Sequence, residues 1–192
     1  MVSFPSQATA SIGTGELYLR LQVQAGLSVV LPMQFAQEAL IVSPQQFTLL
    51  PNQPAWALGL FNYRNRVIWS IDMPQFLEWD PLDFGLPEYH LVVMQDEALW
   101  LGLAVPLVRG VTRISPDQIQ SMTGSPSELP IDWPASRGVF FSGQVMDGPE
   151  RLWVLNASAM TRRVVESTMT PQVVRSTIAQ QLSPVSPSRA SG

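Results

Sequence analysis

The chain has 192 residues, of which 46% are hydrophobic and 14% are charged, so it can bury the core of one compact domain or of two small lobes. It contains no cysteine, and all eleven of its basic residues are arginines. Disulfides, thiolate catalysis, cysteine-based metal sites and lysine-dependent phosphate loops or Schiff bases are therefore excluded. The net charge of −4 and the lack of a basic stripe also argue against nucleic-acid binding.

The seventeen prolines and twelve glycines are scattered along the chain, which favours many short β segments over a helical bundle. Residues 1–15 are small and polar, and we expect them to form a flexible N-terminal arm. They have neither the basic start nor the apolar run of a secretory signal, so we expect a cytoplasmic protein. The longest apolar run, residues 99–108, is too short to cross a bilayer, so we expect no membrane insertion.

The first predicted strand covers residues 17–24, where apolar and polar residues alternate strictly. Ala25-Gly26 turns the chain into a second apolar run over 27–31, and the two runs together predict a hairpin. Residues 33–42 fit either a helical turn or a strand. Their β-branched end favours a strand over 39–42.

A second hairpin is predicted where residues 58–63 and 67–73 flank Arg64-Asn65-Arg66. Asparagine tolerates the positive φ that a tight turn demands, which supports a turn at this point. Residues 74–79 begin with a proline, which is favoured at the start of a helix. They therefore predict a single helical turn after the hairpin.

A third hairpin is predicted from residues 91–94 and 99–105, and the run 108–114 is predicted to continue the same sheet. Residues 115–136 are interpreted mostly as a linker. Because two sets of short hairpins follow one another, the chain is expected to form either two small barrels or one long mixed sheet.

The last hairpin is predicted from residues 139–145 and 152–155, because Asp147-Gly148 between them is a strong hairpin signal. Thr170-Pro171 has the form of a helix start, and a stripe of apolar residues follows at helical spacing. We expect the tail 183–192 to be disordered. The residues of the stripe are Val173, Val174, Ile178 and Leu182.

Most catalytic arrangements are unavailable, because the chain has one histidine, His90, and no cysteine to pair with it. His90 precedes an apolar run, so we interpret it as a residue that flanks a strand, and no GxSxG nucleophile motif is present. Several carboxylates lie in predicted turns and are interpreted as solvated loop charges. We therefore predict no catalytic residue, no metal site and no cofactor. The carboxylates in question are Asp80, Asp83, Glu88, Asp96 and Glu97.

The six tryptophans fall into two groups. Three lie inside predicted strands, where large aromatic side chains fill cores, and three stand beside prolines in predicted loops. Any exposed member of the loop group is a candidate anchor for a partner protein. The strand residues are Trp69, Trp100 and Trp153, and the loop residues are Trp56, Trp79 and Trp133.

Residues 57–73 carry a glycine, an Asn-x-Arg turn, a β-branched run and an Ile-Asp end. This segment resembles the core signature of the CheW family, which runs from a glycine through Asn-Leu-Arg-Gly to Ile-Asp-Leu. Further stretches that resemble CheW blocks follow the family order: 35–40, 49–54, 101–105 and 143–156. The residues that match the core signature are Gly59, Asn62, Arg64, Val67, Ile68, Ile71 and Asp72.

The chain departs from the family pattern at a few positions. Asn65 stands where glycine is usual, and Pro106 stands where aspartate is usual. Tyr63 and Trp69 replace smaller apolar residues, which bears on partner specificity. Together with the proline-rich loops, these departures favour a specialised receptor array, such as one for pilus-driven motility or phototaxis.

The resemblance implies a mainly β fold: two small, intertwined, five-stranded SH3-like barrels around a shared core, with short helices and a C-terminal helix. The expected organisation is a flexible arm over 1–15, a CheW-like domain over 16–160, a C-terminal helical extension over 161–182 and a disordered tail over 183–192.

The function implied by the resemblance is that of a cytoplasmic, non-enzymatic adaptor, recruited to receptor arrays at the inner membrane face. It would couple the signalling tips of methyl-accepting chemoreceptors to a CheA-type histidine kinase. The receptor tip would lie in an apolar groove between the barrels, and the kinase regulatory domain would dock edge-on. The partner-contacting residues implied are Arg64, Glu38, Asn62, Asn65, Phe61 and Ile68.

Two other hypotheses remain at this point. The first is a small-ligand-binding β-barrel or enzyme subunit for a flavin or nucleotide, which a deep aromatic pocket with convergent polar groups would favour. The second, the regulatory end of a larger kinase, is disfavoured because no kinase segment is present. For Arg64, the alternative to a partner contact is an exposed arginine that pairs weakly with a neighbour such as Asp72.

Overall fold

The computed structural model describes residues 15–83, 85–123, 125, 128–130 and 133–168. The predictions for the N-terminal arm, for the helix from Thr170 and for the tail lie outside these residues. The strands are β1 Glu16–Gln24, β2 Leu27–Pro32, β3 Ala36–Val42, β4 Ala57–Tyr63, β5 Arg66–Asp72, β6 Tyr89–Asp96, β7 Leu99–Val105, β8 Leu107–Ile114, β9 Gln120–Ser121, β10 Phe141–Asp147 and β11 Glu150–Leu155. The helices are α1 Met73–Phe76 and α2 Ala157–Thr168, and short 3₁₀ turns cover Pro44–Gln46, Pro116–Gln118 and Ala135–Phe140.

The strands form two sheets, which confirms the mainly β prediction and its division into two units. The first sheet has the order β8-β1-β2-β11-β10-β9, and the second has the order β3-β6-β7-β5-β4. The chain begins in the first sheet, completes the second, and returns to the first. The two units are thus intertwined, and the two-residue strand β9 is a sixth strand where five were expected.

Each central strand faces two different cores, because its side chains alternate between the two sides of the sheet. In β11, Leu152 and Val154 face a core inside the first sheet. Trp153 and Leu155, on the opposite side, enter a larger core that both sheets and both helices share. The same alternation occurs in β6, which contributes to the shared core and to a core inside the second sheet.

The prediction that residues 108–114 continue the sheet of β6 and β7 is wrong. Strand β8 pairs antiparallel with β1 of the first sheet, with Tyr18 opposite Thr112. The reason is that β7 has no free edge, since β6 pairs with one side of it and β5 with the other. Pro106 separates β7 from β8, and the chain leaves the second sheet there.

Helix α2 begins at Ala157, ahead of the predicted helical extension. The side chain of Asn156 accepts a hydrogen bond from the backbone N–H of Ala159 at 3.1 Å, as an N-terminal cap does. One face of the helix is buried, with Met160 and Val164 in the shared core. None of the helices in the described part of the chain is long and apolar enough to span a membrane.

Candidate partner-binding site

The β4–β5 hairpin, which carries the signature arginine, is present as predicted. Arg64 and Asn65 form its two-residue turn, with φ angles of 43° and 64°, and Tyr63 pairs with Arg66 across the strands. Two successive positive φ angles are what a type I′ hairpin turn requires. This turn places the Arg64 side chain in solvent, where it is 72% exposed.

The exposed guanidinium of Arg64 lies against a carboxylate from another strand. Its Nη2 is 2.8 Å from Oε2 of Glu38 on β3, and the hydroxyl of Tyr63 donates to the same oxygen at 2.6 Å. Strands β3 and β4 lie at opposite edges of the second sheet. The Tyr63–Glu38 hydrogen bond therefore joins the two edges, so this sheet curls into a barrel at the Arg64 turn.

The alternative partner considered for Arg64, Asp72, is not available. Asp72 is fully buried, and its carboxylate accepts hydrogen bonds from the backbone N–H groups of Gln75 and Leu82 at 2.9 and 2.8 Å. It caps the N-terminus of α1. The idea that Arg64 pairs with Asp72 is therefore wrong, and Glu38 takes that place.

The Tyr63 side chain is the buried support of the turn. Burial raises the pKa of its hydroxyl, and the hydrogen bond to the Glu38 carboxylate raises the pKa further, while nearby Arg64 opposes both effects. Tyr63 is thus held as a neutral hydrogen-bond donor. Its ring lies 5.3 Å from the guanidinium carbon of Arg64 and 6.0 Å from the ring of Trp100.

The six residues implied by the resemblance divide into exposed and buried groups. Arg64, Asn62 and Asn65 are exposed, and the Glu38 side chain is 31% exposed. We refer to these four residues as the Arg64 surface. In contrast, Phe61 and Ile68 are buried in the core of the second sheet. They support the hairpin from below and do not reach the surface.

One neighbour of this surface was missed from the sequence. Arg66 is exposed at the start of β5, and its guanidinium carbon lies 5.0 Å from the ring of Trp100. A cation at that distance from an aromatic ring is attracted to it. The signal in the sequence was the Arg-Asn-Arg turn itself, which places two arginines at the tip of one hairpin.

Comparison with known proteins assigns the fold. The family model of the CheW-like domain matches residues 18–155, which is more than half of the chain. The chain belongs to the CheW-like family. Among solved structures, it is similar to the scaffolding protein TtCheW from Thermoanaerobacter tengcongensis, with 14% identity and a TM-score of 0.61 over 74% of this chain and 90% of that protein. No curated protein matches the sequence significantly.

The loop tryptophans of this CheW-like protein do not meet the condition for a partner anchor, because none of the three is exposed. Trp56, Trp79 and Trp133 are all partly buried and pack against the shared core. The rings of Trp79 and Trp133 meet edge to face at 5.0 Å, and Trp133 lies 4.7 Å from Trp153. Buried Arg137 places its guanidinium carbon 4.2 Å from the ring of Trp79. Through these contacts, the segment that precedes β10 packs against the shared core.

The histidine and the carboxylates of the predicted turns differ in burial. Among the described residues, no group of three or more histidine, aspartate or glutamate side chains is placed to hold a metal ion. His90 lies half-buried in β6. Asp96 accepts a hydrogen bond from Thr161 at 2.8 Å and so joins the β6–β7 turn to α2. The remaining carboxylates that the sequence analysis interprets as solvated loop charges, Asp80, Asp83, Glu88 and Glu97, are exposed.

Proposed function

We propose that this protein is a cytoplasmic, non-enzymatic adaptor that couples chemoreceptor signalling tips to a CheA-type histidine kinase. Two findings support the proposal: the CheW-like domain over residues 18–155 and the similarity of the fold to a scaffolding protein. Adaptors of this kind act by binding alone. The proposal thus requires a surface that binds a partner and no reactive group.

The main structural support for the proposal is the exposure of Arg64 at a tight turn, beside the carboxylate of Glu38. The donors of a buried arginine would be occupied within the fold, but the Arg64 side chain is 72% exposed and forms an ion pair with Glu38. Its planar guanidinium retains N–H donors that a receptor carboxylate or carbonyl can accept. The rigid two-residue turn and the Glu38 carboxylate limit its positions, which lowers the entropy lost on binding.

The proposal is tested with Arg64→Glu and the neutral variant Arg64→Gln. An arginine at the centre of an interface contributes ~2 kcal/mol or more, so we expect at least about thirtyfold weaker binding of a receptor signalling tip. Charge reversal should cost more than neutralisation, because it places a second carboxylate beside Glu38. The melting temperature should change little, because an exposed ion pair contributes only ~0–1 kcal/mol to stability.

The matched control is Arg109→Glu. Arg109 is an exposed arginine on β8 of the other sheet, and it donates a hydrogen bond to the side chain of Gln22 at 2.6 Å. Arg20 is unsuitable because it bonds both Asp147 and Glu150. If Arg64→Glu binds the receptor tip as tightly as Arg109→Glu does, or fails only because it unfolds, then Arg64 is not the receptor contact.

A further inference from the structure

The tip of the β4–β5 hairpin carries two arginines, and both lie against aromatic rings. The guanidinium carbon of Arg64 is 5.3 Å from the ring centre of Tyr63, and that of Arg66 is 5.0 Å from the ring centre of Trp100. The two rings are themselves neighbours, with centres 6.0 Å apart. A continuous row of contacts therefore extends from Arg64 in the turn, through both rings, to Arg66 at the start of β5.

The charges of the two arginines are balanced differently. Arg64 forms an ion pair with Glu38, whereas no ion pair in the described part of the chain includes Arg66. Arg66 is nevertheless exposed, and it stands two residues from another positive charge, which repels it. Two guanidinium groups thus share one paired carboxylate at this tip, on a protein whose net charge is −4.

The ring contact prepares Arg66 for a partner. Attraction to an aromatic ring does not occupy all five N–H donors of a guanidinium, so donors remain for a carboxylate. The contact also restricts the side chain, which lowers the rotamer freedom lost on binding. Trp100 is half-buried and keeps water from one side of the guanidinium. An ion pair formed on the other side is strengthened as a result, because the local dielectric constant is lower.

We propose that Arg66 is a second partner contact, and that Arg64 and Arg66 together select a partner segment with at least two carboxylates. The inference rests on the function proposed above, because it takes the Arg64 surface as the site that binds the receptor tip. It adds the chemistry of the bound segment. One carboxylate meets Arg64 beside Glu38, and another meets Arg66. A segment with a basic residue in either place is repelled. Trp100 acts through Arg66 and is a positioning residue.

The test measures the binding of a receptor signalling tip to the full-length wild type, to Arg64→Gln and to Arg66→Gln. Arg66→Gln should bind at least about tenfold more weakly, and its melting temperature should change little, since Arg66 is exposed. Arg66→Lys keeps the charge without the planar guanidinium and should bind with intermediate affinity. The control, Arg109→Gln, changes an exposed arginine of the other sheet and should bind as the wild type does.

The carboxylates of the partner are found from the receptor side. Each aspartate and glutamate of the tip is replaced in turn by its amide, and each variant tip is measured against the wild type and Arg66→Gln. At least one replacement should weaken binding to the wild type about tenfold and have little effect on binding to Arg66→Gln, as contacting residues do in a double-mutant cycle. A different replacement should be coupled to Arg64→Gln in the same way.

The outcomes separate this inference from the proposed function. If Arg64→Gln weakens binding while Arg66→Gln binds as Arg109→Gln does, the second contact is wrong and the proposed function stands. If no carboxylate of the tip is coupled to Arg66, the selection of an acidic segment is wrong. If the tip does not bind the wild type, or neither arginine affects binding, both proposals are wrong.

A Trp100→Leu variant tests the positioning role. It should weaken binding in the wild-type background and have no further effect when combined with Arg66→Gln, because the ring then has no guanidinium to hold. Equal losses of affinity in the two backgrounds would overturn the role assigned to Trp100. The melting temperatures of the single and double variants show whether a loss of affinity reflects unfolding.

Discussion

Replacing the buried carboxylate of Asp72 should be among the most destabilising single changes in the second sheet. The side chain is 0% exposed and accepts hydrogen bonds from the backbone of Gln75 and Leu82. Asp72→Ala removes the cap of α1, which costs ~1 kcal/mol. It also leaves the buried N–H of Leu82 without a partner, which costs a further ~1–3 kcal/mol. The expected loss of unfolding free energy is therefore ~2–4 kcal/mol.

Urea unfolding of the wild type, Asp72→Ala and Asp72→Asn measures this loss. The asparagine variant keeps one acceptor oxygen and should lose ~1–3 kcal/mol, because one of the two N–H groups remains unsatisfied. The control is Asp117→Ala, since Asp117 is exposed and a surface change should stay within ~0.5 kcal/mol. A loss below ~1 kcal/mol for Asp72→Ala would refute the reasoning that these two bonds hold α1 and the following loop.

The pH dependence of the folding stability provides a second test of the role of Asp72. Burial raises the pKa of Asp72, although its two backbone hydrogen bonds act in the opposite direction. A carboxyl group whose pKa is higher in the folded state binds its proton more tightly there, so its contribution to stability grows as the pH falls and is lost as the pH rises. The stability of the wild type relative to Asp72→Asn should therefore increase on acidification from neutral pH. A decrease would show that the hydrogen bonds outweigh burial.

Three further predictions concern the second sheet. Tyr63→Phe and Glu38→Ala, combined in a double-mutant cycle, should show a coupling free energy of ~1–2 kcal/mol, because each variant removes the 2.6 Å hydrogen bond that joins the two edges of the sheet. Additive losses would contradict this closure. The raised pKa of Tyr63 also implies that its contribution is lost as the pH rises above about 10. Gly59→Ala should destabilise the fold by at least ~2 kcal/mol more than Gly110→Ala. The two glycines have nearly the same φ, 112° at Gly59 and 114° at Gly110, so the backbone strain of the substitution is matched. Of the two, only Gly59 would place the added Cβ against another group, 2.2 Å from the carbonyl oxygen of Thr48. Equal losses in urea unfolding would show that backbone strain, and not this contact, decides the cost.

The hairpins could be predicted from the sequence because the information for them is local. The Arg64-Asn65 turn joins strands that are adjacent in the chain, and Gly148, with a φ of 60°, does the same for β10 and β11. The placement of β8 could not be predicted in this way. Its partner, β1, is the first strand of the chain, and six other strands lie between the two in the sequence. An alternating pattern shows that a strand is half-buried, but it does not show which strand it pairs with.

In the candidate site, too, the local features could be predicted from the sequence and the long-range contacts could not. A turn exposes its side chains, so the position of Arg64 followed from local sequence. Its partner Glu38 did not, because the two residues meet only when the second sheet curls and brings its edges together. Asp72 was treated as a possible surface partner, although Asp-Met-Pro at the end of a strand is typical of a helix cap followed by an early proline.

The path of the chain between the two sheets determines the order in which a growing polypeptide can fold. All strands of the second sheet lie between residues 36 and 105, so this sheet can form early. The β1–β2 hairpin, in contrast, must wait for β11, which pairs with β2 in parallel. At a synthesis rate of ~5–20 residues per second, the ribosome needs roughly 6–24 s to pass from β2 to β11. During that interval, the apolar residues of the hairpin lack their final partner, and a chaperone that shields them would raise the yield of finished protein.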